Sequence, residues 1–124
     1  MTSVVGKRIL LVEDEALLAM AFQDMLEDLG TFVLGPCQSV EHALELIKAV
    51  DELDGALLDV DLGGERSFEI ARALDRRSIP YMFATGFGSV GLSDAPTATI
   101  IGKPFTETQL IDALSSMFVS RSAA

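Results

Sequence analysis

At 124 residues and 13.3 kDa, the chain has the length of one globular domain with a real core, too short for a catalytic domain beside a separate reader. A formal charge of −10 and a pI near 4.3 argue against non-specific nucleic-acid binding, since phosphates repel such a surface. Nearly half the residues are hydrophobic, 49%, yet no apolar run approaches the roughly 20 residues a membrane helix needs, so the expected setting is cytoplasmic, with neither nucleic acid nor membrane as partner.

In chain order, "MTSVVGKRILLV" runs straight into "EDE" with no small-residue cleavage pattern and reads as a strand rather than a signal peptide. Its apolar core, residues 9–12, does not alternate, nor do the runs at 32–34, 56–58, 81–84 and 99–101. Short non-alternating runs suit strands buried on both faces. Between them lie helical patterns. Residues 15–29 carry Leu18, Phe22, Met25, Leu26 and Leu29 at helical spacing, with Gly30 where a C-terminal cap belongs. Cys37, the single cysteine, has no CxxC or metal-ligand spacing around it and reads as a small structural residue in a turn after Gly35 and Pro36. A second helix over 39–50 starts at Ser39, and a third over 67–77 turns Phe68, Ile70, Ala71 and Leu74 inward. Residues 86–98 hold three glycines and a proline, so a helix there is weakly encoded. A final helix starts at Thr106, whose hydroxyl can cap it, and buries Leu110, Ile111, Leu114 and Phe118 before a frayed "SRSAA" tail.

Alternating strands and helices imply an α/β fold with a parallel sheet covered on both faces through right-handed crossovers. Ligands of such sheets bind beyond the carboxyl ends of the strands. Those ends supply Glu13 and Asp14 from the first, Asp59 from the third, Thr85 from the fourth and Lys103 from the fifth. Two carboxylates about 4 Å apart repel by ~4 kcal/mol at an effective dielectric near 20, so three together call for protonation or a cation. Oxygen-only ligands with open positions suit Mg2+, which also accepts phosphate oxygens. Lysine and a threonine hydroxyl would neutralise and hydrogen-bond the rest of a phosphoryl group, leaving Asp59 free to act as a nucleophile that forms an aspartyl phosphate.

The ordered pieces "LLVEDE", "LLDVD", "FATG" and "GKPF" resemble the receiver domain of two-component response regulators over nearly the whole chain. The resemblance implies a flavodoxin-like, doubly wound five-stranded parallel sheet of order 2-1-3-4-5, phosphorylation by a histidine kinase or histidine phosphotransfer protein, and dependence on Mg2+. By position, Asp59 is the phosphoacceptor, Glu13 and Asp14 form the metal pocket with it, Asp61 offers its backbone carbonyl to the metal, and Thr85 and Lys103 contact the phosphoryl group. The Asp61 side chain is expected near the mouth of the site, where it would alter phosphoryl lifetime. The whole of 1–124 reads as one receiver domain, core about 6–119, with no effector domain.

Three departures from the family pattern stand out. Gly63 replaces a common proline four residues after the acceptor, and Ile100 stands where many receivers carry a switching aromatic. "PYMFATGFG" is similar to a subgroup named for its Phe-Ala-Thr-Gly signature, often without that aromatic and with an altered fourth helix; the expectation is that phosphorylation orders residues 86–98 instead. Two other readings stay open: a haloacid-dehalogenase-like phosphatase built on Asp59 and Asp61, and a degenerate receiver acting by contact alone. Against the first, Gly63 stands where that family places Thr or Val, and no cap domain fits. His42 reads as a solvated helix residue, and whether phosphorylation drives homodimerisation is open.

Overall fold

The computed structural model describes residues 3–62, 65–86 and 99–123, without the side chains of Asp61, Glu65, Arg66 and residues 120–123. Strands β1 (Arg8–Val12), β2 (Phe32–Cys37), β3 (Gly55–Asp59), β6 (Tyr81–Thr85) and β7 (Thr99–Gly102) form one parallel sheet in the order β2-β1-β3-β6-β7. This is the 2-1-3-4-5 order of a flavodoxin-like sheet, with a two-stranded hairpin, β4 (Asp61–Leu62) and β5 (Glu65–Arg66), inserted directly after the third strand. Residues 63–64 lie outside the described ones, as do residues 87–98, which make up nearly all of the segment where a helix is weakly encoded.

Side chains alternate between the faces of the central strands, so one continuous apolar run feeds two cores. Leu10, Val12, Ala56, Leu58 and Phe83 pack on one face beneath α2 (Val40–Ala49) and α3 (Phe68–Arg76), with Phe68 set edge-on against Phe83 at 5.5 Å. Ile9, Leu11, Leu57, Met82 and Ala84 face the other way, beneath α1 (Ala16–Asp28) and α4 (Glu107–Ala123). Fully burying a large apolar side chain is worth about 1.5–3 kcal/mol, and Ile9, Leu10, Leu11, Leu57, Leu58, Met82 and Phe83 of the central strands are all so buried.

Helix ends follow the local chemistry. Gly30, at φ +90°, closes α1 where an L side chain would be strained. Ser39 Oγ accepts from the His42 backbone N–H at 3.1 Å to open α2, and Thr106 Oγ1 accepts from the Gln109 N–H at 3.1 Å to open α4. Arg77 donates to the carbonyls of Ile47 (2.6 Å) and Asp51 (2.9 Å), tying the end of α3 to the end of α2.

Two expectations are corrected. The outer strands are not buried on both faces: Phe32 is 61% exposed and Ile100 42%, because among the described residues β2 and β7 are the edge strands, each with a neighbouring strand on one side only. Cys37 is not in a turn but is the last residue of β2, fully buried and paired with Val12. The strand continues through Gly35, at φ +101°, by a register shift that keeps the pairing past Pro36. In α1 the fully buried positions are Ala19, Phe22 and Leu26, while Leu18, Met25 and Leu29 are only partly covered. The small side chain of Ala19 lets the helix approach the sheet.

Candidate functional site

All five parallel strands point the same way, so whatever follows their carboxyl ends meets on one rim of the sheet. Glu13 and Asp14 follow β1, Asp59 ends β3, Thr85 ends β6 and Lys103 follows β7. Backbone bonds extend the ladder into this rim: Glu13 N donates to Cys37 O (2.9 Å), Val60 N to Ala84 O (3.2 Å) and Lys103 N to Thr85 O (2.8 Å). The candidate side chains are thereby carried on or beside paired backbone rather than on free loops.

Glu13 (1% exposed), Asp59 (8%) and Thr85 (7%) are buried, whereas Asp14 is exposed. Carboxylate oxygens of Glu13, Asp14 and Asp59 lie within 4.8 Å of one another. Lys103 Nζ lies 3.2 Å from Glu13 Oε1 and 3.4 Å from Asp59 Oδ2. The other oxygen of Glu13, Oε2, accepts from the Glu15 backbone N–H at 3.0 Å, which fixes the carboxylate at the entry to α1. Burial alone would pull the Lys103 ammonium below its ordinary value, but the charges of Asp59 and Glu13 and their hydrogen bonds outweigh it, and the net shift is upward. Lys103 therefore stays cationic. One ammonium faces two buried carboxylates with a third beside them, a hard-oxygen set whose excess negative charge suits a divalent cation such as Mg2+.

A cavity of about 400 Å³ opens over Asp59 and Lys103, lined also by Glu15, Leu18, Val60, Thr85, Gly86 and Pro104. It has room for a phosphoryl group. Phe105, two residues beyond Lys103, stacks on Phe22 at 4.5 Å and anchors that loop in the core. The sequence-predicted residues Glu13, Asp14, Asp59, Thr85 and Lys103 are thus brought together. Asp61 follows in β4, and its side chain lies outside the described residues. His42 is an exposed residue in the first turn of α2, as its sequence setting suggests.

Sequence reading missed two things. It assigned Lys103 to phosphoryl oxygens without seeing that the ammonium is held by Glu13 and Asp59, a pairing across 90 residues of chain that no local signal records. It also missed the hairpin, through which Ser67 N reaches Val60 O at 2.9 Å and ties the start of α3 to the residue after Asp59.

The family model described as "Response regulator receiver domain" matches residues 9–115. The transcriptional regulatory protein PdtaR of Mycobacterium tuberculosis is 29% identical over 96% of the chain, and the chain spans 60% of the length of that relative. A response regulator receiver protein from Sinorhizobium medicae superposes with a TM-score of 0.83 at 29% identity, over 94% of this chain and 97% of that one. SdrG from Sphingomonas melonis is 38% identical, with a TM-score of 0.78 over 94% and 98% of the two chains.

Proposed function

The chain belongs to the response regulator receiver domain family of two-component systems, and from that premise we propose that it is a phosphoacceptor, loaded at Asp59 by a histidine kinase or histidine phosphotransfer protein. The observation that carries the reading is the Lys103 ammonium, 3.2 Å from Glu13 and 3.4 Å from Asp59, in a cavity that Thr85 also lines. A carboxylate oxygen of Asp59 attacks phosphorus opposite the P–N bond of a phosphohistidine. The P–O bond forms as the P–N bond breaks, and the imidazole leaves with the electron pair and takes a proton from solvent. The Lys103 ammonium and the Thr85 hydroxyl then donate to the phosphoryl oxygens. Glu13, Asp14 and Asp59, with the Asp61 backbone carbonyl, would hold Mg2+, which when bound supplies the positive charge that lets two anions meet.

The same reading makes the chain an acceptor rather than a turnover enzyme, with output through protein contacts. Leu17 and Met20, 77% and 61% exposed on α1 next to the cavity-lining Leu18, offer apolar surface to an incoming phosphodonor. The expected ordering of residues 86–98 on phosphorylation falls almost entirely on residues outside the described ones.

Intact-protein mass after exposure to a small-molecule phosphodonor, with and without Mg2+ and beside Asp59→Asn, tests the proposal. A Mg2+-dependent gain of one phosphoryl group that the variant lacks supports it. Steady phosphate release without an adduct would point to turnover, and neither adduct nor release to a receiver that works by contact alone.

A further inference from the structure

We propose that Ser67 is a hinge with two hydrogen-bonded settings, and that its switching swings the β4–β5 hairpin that follows Asp59. Ser39, Ser67 and Thr106 each stand immediately before a helix. Ser39 and Thr106 spend their hydroxyls on the helix they open, each accepting the N–H of the residue three places on. Ser67 does not: it is fully buried, and among the described residues no hydrogen bond reaches its Oγ. Buried polar groups are ordinarily paired, and a buried hydroxyl without a partner is a cost that any conformation supplying one removes.

The start of α2 shows what that conformation is. Ser39 is extended, with φ −145° and ψ 162°; its carbonyl accepts from the Ala43 N–H at 3.1 Å and its Oγ from the His42 N–H at 3.1 Å. At Ser67, with φ −83° and ψ 11°, the carbonyl accepts from the Ala71 N–H at 3.2 Å in the same way, but it also takes the Ile70 N–H, at 3.1 Å, that the hydroxyl would accept. The two helix starts differ in that one acceptor. Turning Ser67 to the extended setting while α3 stays in place hands the Ile70 N–H to Oγ and re-aims the chain that precedes Ser67. That chain is the hairpin, whose base is closed by the Ser67 N–H on the Val60 carbonyl at 2.9 Å and by the pairing of Asp61 with Arg66. The turn gives up the bond to Val60 and gains the bond to the hydroxyl, so one hydrogen bond is exchanged for another and the two settings lie close in free energy. Val60 lines the cavity over Asp59, so the swing alters the lining of the candidate site. The inference does not rest on phosphorylation.

Ser67→Ala removes the unpaired hydroxyl and with it the second setting. Alanine before a helix ordinarily destabilises, so the sign is diagnostic: this variant should melt about 3 °C or more above wild type. Backbone relaxation dispersion reads the exchange itself. In wild type the amides of Val60, Asp61, Leu62 and residues 65–71 should exchange between two states at one shared rate, and in Ser67→Ala the minor population should fall by about fivefold or more. Ser67→Cys keeps a side chain of similar shape with a much weaker acceptor and should lose the exchange likewise. A folded Ser67→Ala that is less stable than wild type would show that the hydroxyl already has a partner, and would overturn the proposal. So would a wild type without shared exchange at these residues, or exchange that persists in both variants. Should Ser67→Ala fail to fold, the comparison of wild type with Ser67→Cys decides in the same terms.

Discussion

Replacing Lys103 by methionine keeps the length of the side chain and removes the ammonium that faces Glu13 and Asp59. At 3.2 and 3.4 Å, each unit pair amounts to about 5 kcal/mol at an effective dielectric near 20. Burying the ammonium offsets much of that, so the net loss falls near the ~3–5 kcal/mol observed when one partner of a buried pair is removed. The melting temperature in EDTA should therefore drop by about 10–20 °C for a domain of this size. Added Mg2+ should restore more stability to the variant than to wild type, because a divalent cation replaces the missing charge. The raised pKa of Lys103 fixes the pH dependence. Its contribution is complete below the ordinary lysine value of 10.5 and fades as pH rises through the higher folded value, so the two proteins should converge in strongly alkaline solution. Thermal unfolding by circular dichroism across pH, with and without Mg2+, reads all of this. A variant as stable as wild type in EDTA near neutral pH would refute the claim that Lys103 offsets the buried carboxylates.

Burial pushes the Cys37 thiol from 9.0 up to about 11, so the folded state favours the neutral thiol. Its stabilisation is complete below pH 9 and is lost as pH climbs towards 11, and Cys37→Ala should flatten that part of the melting-temperature profile. Ser39→Ala removes the acceptor for the His42 N–H and should cost about 1 kcal/mol in urea unfolding with an unchanged m-value. Phe105→Ala deletes the ring stacked on Phe22 beneath the Lys103 loop and should cost about 3–5 kcal/mol. The yield of the phosphodonor adduct should fall with it, and a well-folded variant with full yield would show that the stack does not position the site.

Sequence periodicity was enough to order the main strands and helices, since continuous apolar runs report strands covered twice and helical spacing reports the covering layers. Strand-end chemistry likewise marked Glu13, Asp14, Asp59, Thr85 and Lys103 as a group, because parallel strands must deliver their carboxyl ends to one rim. Three features were decided only by tertiary structure. Phe32 and Ile100 are as apolar as any central residue, and only sheet order makes them edge positions open to water. Cys37 looked like a turn residue after Gly-Pro because the shifted pairing with β1 that keeps it in the strand is a contact with residues 25 positions earlier. The sharing of Lys103 between Glu13 and Asp59 joins three separate strand ends. Local sequence sets backbone preference and which residues seek burial; distances between charges arise only when the sheet closes, and those distances set the electrostatics of the site.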